Sequence, residues 1–254
     1  MRALYAAASG MAAQQTRLDT IANNVANVGT TGFKKSRASF QDLFYQELTH
    51  GGMSASTSRL DVGGGVQLSA LAKNHSTGAM GETGRILDIA IQGAGYLAVE
   101  DNRGETLYTR DGNLHIDSDG VLTSSTGLPL MGDIYIPQDA RELKILADGT
   151  LQAAFANSTE YTTLGQLEIS TFVNPSGLQP MGNNIYRATA RSGDAMAPEF
   201  GTDLYIAQGY LEHSNVDIAE ELINMIEAQR AYDLNSKVVK TADEVLQAAA
   251  NLKR

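Results

Sequence analysis

Leu4, Met11, Leu18 and Val25 recur every seven residues, and Ala7, Gln14, Ile21 and Val28 repeat three places further on. An a/d-like spacing carried over almost four heptads predicts an N-terminal amphipathic helix, with Gln14 as a polar interruption. Asn27 and Gly29 supply helix-stopping chemistry, and Thr30-Thr31-Gly32 completes the break. Gln14, Gln15, Asn23, Asn24 and Asn27 leave the other faces polar but nearly uncharged, as suits a helix surrounded by helices.

A second, longer helix is predicted from Asn215 to Leu252. That stretch has no Gly or Pro and is rich in Ala, Glu, Leu, Lys and Gln. Ser214 or Asn215 is the expected cap. Asp217, Glu220 and Glu221 sit in the early turns and Lys253-Arg254 at the end, matching the helix dipole. Ile218, Met225, Tyr232, Val239 and Leu246 recur every seven residues, joined by Leu222 and Ala250. Gln229, Ser236 and Asp243 share the Leu222 position, so that seam is half polar. A second stripe runs through Ile223, Ile226, Val238, Ala242, Val245, Ala249 and Leu252. Two partly apolar faces call for more than one neighbour.

Between the helices the pattern changes. From about 85 to 205, short β-branched and aromatic runs such as ILDIAI, GYLAVED, TLYT and LKILADGTLQAAF alternate with Gly- and Asp-rich turns. Asp-Gly at 111, 119 and 148 predicts hairpin turns. Residues 46–84, rich in Gly, Ser and Thr and including Gly63-Gly64-Gly65, read as an extended connection with a few short strands. The expected fold class is therefore α+β. Residues 1–45 pair with 206–254 as a discontinuous, coiled-coil-like helical domain around an all-β domain at 85–205.

Composition narrows the function. The chain has 254 residues, 43% of them hydrophobic, which is in the globular range. A net charge of -10 argues against nucleic acid and anionic membranes as partners. The absence of cysteine removes disulfides, thiolate metal sites and a cysteine nucleophile. No stretch has the roughly 20 apolar residues of a membrane span, so no membrane insertion is expected. The alanine-rich start, broken by Ser9 and Gly10, is a poor secretory signal and continues the helical pattern.

Candidate chemistry is sparse. Gly93-Ala94-Gly95-Tyr96-Leu97-Ala98 fits a dinucleotide fingerprint formally, but strand-like YLAVED follows where a helix N-terminus is needed, so a hairpin turn is expected. Asp117-Ser118-Asp119-Gly120 lacks the third ligand and the position-12 glutamate of a calcium loop and reads as a plain turn. No G-x-S-x-G elbow occurs, and nothing favours His115 or His213 in a triad. The paired acids Glu220-Glu221 and Asp243-Glu244 read as solvated charge. No catalytic, metal or cofactor residue is expected, and the chain is not read as an enzyme. The apolar stripes either cover their own domain or join other chains. Their position at opposite chain ends, outside the β region, points to assembly.

The motifs carry a resemblance. Leu18-Asp19-Thr20-Ile21-Ala22-Asn23-Asn24-Val25-Ala26-Asn27, followed by Thr31-Gly32-Phe33-Lys34, resembles the rod signature of the bacterial flagellar axial family of rod and hook proteins. LDIAIQGAGYLAV (87–99), YTRDGNLHIDSDGVL (108–122), NPSGL with GNNIY (174–186) and the closing 208–246 are similar too. The likeness is closest to members of the distal rod. It implies a self-assembling tubular polymer with terminal helices inside and the β domain outside. The implied partners are further copies of the chain, other rod proteins, the hook protein, ring bushing proteins and the flagellar export apparatus. It further implies a place in the periplasm-spanning basal body, reached without a cleaved signal peptide. The assembly seam would be Leu4, Met11, Leu18, Ile21, Val25, Val28, Ile218, Leu222, Met225, Tyr232, Val239 and Leu246, with Asn23, Asn24, Asn27, Gly32 and Phe33 as signature positions. Segment 46–65 is shorter than in distal rod members and lacks their usual proline, which keeps a proximal rod subunit as the nearest alternative; a non-polymerising β-domain binding module is the alternative of a different class.

Overall fold

A computed structural model describes residues 2–48, 60–132, 134–155, 160–198, 200–201 and 204–251. Helix α1 spans Arg2–Ala26 and helix α2 spans Ile218–Asn251, and between them the described chain is almost entirely strands and turns. The chain divides into two compact units, one of Met1–Ala26, Ser36–Ala72 and Asp217–Arg254, the other of Asn27–Lys35 and Lys73–Val216.

The first unit holds both helices and a strand arm. Ser36–Asp42 pairs with Val66–Lys73, and Tyr45–Leu48 pairs antiparallel with Leu60–Gly63. Residues 49–59 lie outside the described residues, as do Leu252, Lys253 and Arg254. The arm is anchored where Val66 N donates to Ser9 Oγ at 3.3 Å. Gly65 has φ +115, and a Cβ there would overlap the Ser9 hydroxyl, so the glycine run serves a close crossing over α1. α2 begins at Ile218 because Asp217 Oδ1 accepts from Ala219 N (2.8 Å) and Glu220 N (3.3 Å). The cap is thus Asp217, in place of Ser214 or Asn215. α1 stops at Ala26, so Val28 lies off the helix whose stripe it was expected to share.

The second unit is built on a five-stranded antiparallel sheet. Its order is Ile169–Ser170, Tyr96–Glu100, Thr106–Thr109, Ile185–Arg187, Gln179–Gly182. The run Tyr96-Leu97-Ala98-Val99 is buried on both faces, with the two-residue alternation of a strand. Leu97 and Val99 join an aliphatic core with Ile89, Leu114, Leu151 and Ile206. Tyr96 and Ala98 face an aromatic cluster with Tyr108, Phe172 and Tyr186, where the Tyr108 and Phe172 rings meet edge-on at 4.8 Å. A meander of Ala140–Ile145, Thr150–Phe155 and Tyr161–Gln166 adds a second sheet.

Boundaries fall differently from those read in the sequence. Residues 27–35 and 205–212 belong to the β unit: Tyr205–Gln208 pairs with Ile89–Gln92, and Tyr210–Glu212 with Met80–Glu82. Asp119-Gly120 and Asp148-Gly149 do form hairpin turns, with Gly120 and Gly149 at φ +83. Asp111-Gly112 does not. Gly112 instead packs its backbone on Ile89, whose N–H donates to the Gly112 carbonyl at 3.0 Å. The Gly93–Gly95 turn joins two strands, as its sequence predicts, but they pair with different neighbours and form no hairpin.

A Cβ at Gly112 would overlap the Ile89 carbonyl oxygen, a backbone atom that no rotamer change can move. Gly112→Ala is therefore expected to lower the urea midpoint of the β unit, by about 1–3 kcal/mol in unfolding free energy, monitored by tyrosine fluorescence. An unchanged midpoint would refute this packing.

Candidate assembly surface and its anchors

The two helices run antiparallel. Asn24 meets Glu221, Arg17 meets Asn224 and Glu227, and Gly10 leaves room for the Asn235 amide. These contacts step by seven residues along α1, and Ala7 and Ile21 are buried with them. The facing side of α2 carries Glu221, Asn224, Ala228 and Asn235. Small and polar residues, and few large apolar ones, therefore line the contact.

Its polar end is tightly bonded. Asn24 Nδ2 donates to the Ser36 carbonyl and its Oδ1 accepts from Ser36 N, both at 2.9 Å. The amide thereby completes the backbone bonding of the strand that starts there. Asn24 Nδ2 also reaches Glu221 Oε2 at 3.4 Å. Glu221, expected in solvent, is only 4% exposed.

Of the expected seam, Ile21 is buried and Leu4, Met11, Leu18, Val25, Met225 and Val239 are half-buried. Ile218, Leu222, Tyr232 and Leu246 are exposed, as are Ile223, Ile226, Leu234, Val238 and Val245. The apolar side chains of α2 thus lie mostly outside the helix pair.

The signature residues after α1 have another role. Asn27 O accepts from Thr30 N at 3.1 Å, shaping the turn that follows the helix. Gly32, at φ +67, donates its N–H to the Glu212 carbonyl at 2.8 Å, and its Cα lies against the Arg110 backbone. Phe33 is buried under the Lys73 ammonium, 4.7 Å from its ring centre. Asn23 is exposed on α1.

Lys34, Arg110 and Glu212 form a buried ionic cluster that the sequence reading did not single out. Lys34 Nζ donates to Glu212 Oε1 at 2.6 Å and to the Ser76 carbonyl at 2.7 Å. Arg110 Nη1 donates to Glu212 Oε2 at 3.3 Å, and Gly78 N adds a 2.7 Å bond to Oε1. Arg110 also bonds the Ile91 and Gly93 carbonyls and lies over the Tyr96 ring. Burial lowers the Lys34 pKa, opposed by the Glu212 carboxylate. All three lie within the quoted motifs, but no local feature marks their pairing. Among the described residues, no three or more His, Cys, Asp or Glu side chains gather to hold a metal, and no helix is long and apolar enough to cross a membrane.

His75 borders this cluster. Burial, then the Lys34, Lys73 and Arg110 cations, lowers its pKa to about 4. Burial pushes the Tyr96 phenol up to about 12, and its hydroxyl hydrogen-bonds with His75 Nδ1 at 2.7 Å.

Lys34→Met removes one of the two cations paired with the buried Glu212 carboxylate and is expected to cost about 3–5 kcal/mol in chemical denaturation. A loss below 1 kcal/mol would contradict the pairing. His75 titrates near 6.5 when unfolded and near 4 when folded. Between those values the unfolded chain binds the extra proton, so stability falls as pH drops through the window. His75→Gln is expected to flatten that part of a melting-temperature-against-pH curve, and parallel curves for both proteins would remove His75 as the cause.

Three family descriptions match the chain. Flagella basal body rod protein covers residues 4–34, Flagellar hook protein FlgE/F/G D1 domain covers 90–153, and Flagellar basal body rod FlgEFG protein C-terminal covers 207–252. Flagellar basal-body rod protein FlgG of Agrobacterium fabrum is 43% identical across 96% of this chain and 97% of its own. Its namesake in Borreliella burgdorferi is also 43% identical, across 100% and 99%. Flagellar basal-body rod protein FlgF of Caulobacter vibrioides is more distant, 33% identical across 97% and 96%. With such identity sustained from end to end, the chain belongs to the FlgG family of flagellar basal-body rod proteins.

Proposed function

We propose that the chain is a structural subunit of the distal flagellar rod, a tubular drive shaft that carries motor torque to the hook. The observation that carries this reading is the row of large apolar side chains that α2 leaves in solvent. Burying each Ile, Leu or Val is worth roughly 1.5–3 kcal/mol, a free energy the isolated helix pair leaves unused. In the polymer, α1 and α2 pack in coiled-coil fashion as an inner layer around a channel. The interface takes in Leu4, Met11, Leu18, Val25, Ile218, Leu222, Met225, Tyr232, Val239 and Leu246, and the β unit forms the outer wall. Its partners are then further copies, the adjoining rod and hook proteins and the rings around the shaft. The subunit reaches the periplasm through the flagellar export apparatus with its N-terminus uncleaved. Higher identity to FlgG than to FlgF supports the distal segment over the proximal one.

Leu222 is exposed, so Leu222→Asp is expected to leave the monomer's far-ultraviolet circular dichroism unchanged. A buried unpaired carboxylate in the polymer is costly, so sedimentable assembly should be lost. Basal bodies from cells carrying only this variant should end short of the distal rod by electron microscopy. Full-length rods would overturn the proposal.

A further inference from the structure

Residues 74–79 form no strand or helix, yet they bond directly to the buried Lys34–Glu212 pair. The Ser76 carbonyl accepts from Lys34 Nζ, and Gly78 N donates to Glu212 Oε1, both at 2.7 Å. Neighbouring backbone holds the two ends. Asn74 N donates to the Lys35 carbonyl and His213 N to the Ala79 carbonyl, both at 2.8 Å. Asn215 Nδ2 donates to the Asn74 carbonyl at 2.9 Å. Asn74, Ser76, Thr77 and Ala79 are exposed, and His75 is the anchor. Its ring stands edge-on to Tyr96 at 6.0 Å and to Tyr186 at 5.4 Å, with Nδ1 2.7 Å from the Tyr96 hydroxyl.

A proton changes what this anchor meets. Lys34, Lys73 and Arg110 put three cations near it, and Tyr96 and Tyr186 present phenols whose pKa burial raises. Glu212, the carboxylate of this group, already accepts from Lys34, Arg110 and Gly78. An imidazolium carries hydrogen on both ring nitrogens, so Nδ1 can no longer accept, and the three cations repel it. We infer that residues 74–79 are an acid-released latch: when His75 takes up a proton the segment lifts off as a unit and exposes Lys34 and Glu212 to water, while the sheets beneath stay folded. The local character follows from the bonding. The segment is tied by single hydrogen bonds, with no strand ladder of its own, and it carries no large apolar side chain. The proton that lowers the stability of the whole unit therefore acts first on its most weakly tied part.

Native-state hydrogen exchange on the full chain tests the latch. His75 moves from about 4 in the closed segment to its ordinary 6.5 when released. The protection factors of the Gly78 and His213 amides should therefore fall about fifty-fold between roughly pH 7 and pH 4.5. Urea below the unfolding transition should leave these amides unaffected, while it speeds the core amides of Ala98 and Leu130, whose exchange needs global unfolding. His75→Gln should abolish the pH effect at Gly78 and His213. In the unmodified protein the His75 ring resonances should titrate near 4. Equal urea dependence at all four amides would mean that the unit opens whole, and would overturn the latch. So would protection that ignores pH, the same pH effect in His75→Gln, or ring resonances that titrate near 6.5.

Discussion

The carboxylate of Glu212 is the point on which the β unit depends. Lys34 lies on the segment by which the chain enters this unit, and Glu212 on the last strand before it leaves. Their 2.6 Å ion pair, with the Gly32 to Glu212 backbone bond, ties entry to exit. Arg110 and the Gly78 amide connect the same carboxylate to the body of the unit. A buried ion pair adds little net stability over an apolar substitute. Its value here is geometric: it holds the entering and leaving segments of the β unit side by side.

Around this point the contacts reinforce one another. Asn184 Nδ2 donates to the Thr31 carbonyl at 2.8 Å, and Thr31 Oγ1 donates to Asp111 at 2.9 Å. Asn215 Oδ1 accepts from Lys35 N at 2.8 Å, and Asn74 N donates to the Lys35 carbonyl. Residues 31–35 thus have almost no polar group left to local chance. The positive φ of Gly32 and the Phe33–Lys73 stack add to this, so the segment is bonded along its length within the β unit.

The helices, the strand character of the middle and two of three Asp-Gly hairpins were legible in the sequence, because each rests on local periodicity or a local turn rule. The side of each helix turned inward was not legible. Heptad spacing marks a stripe, but α1 meets α2 through Gly10, Arg17 and Asn24, beside the Leu4–Val25 row, because small and polar residues let the backbones approach. Glu221 read as solvated since no local feature reveals that Asn24 of the other helix reaches it. Asp111-Gly112 looked like a turn, though its glycine is required by Ile89 in another strand. The Lys34–Arg110–Glu212 cluster joins residues far apart in the chain, and long-range pairing of single charges leaves no periodic trace.

The composition of the helix seam has a consequence for assembly. Bringing two proteins together costs roughly 4–15 kcal/mol of lost freedom before any contact is made. One or two apolar side chains, at about 1.5–3 kcal/mol each, cannot meet that cost. A helix pair held largely by small and polar residues leaves many Ile, Leu and Val side chains of α2 exposed. Two isolated subunits meeting through a single small apolar patch would then hold only weakly. A subunit contacting several neighbours at once gains many such burials while its freedom is lost only once. Strong growth on an existing end and weak pairing in solution follow from the same placement of residues. That difference would let a rod extend at its tip without its subunits aggregating on the way.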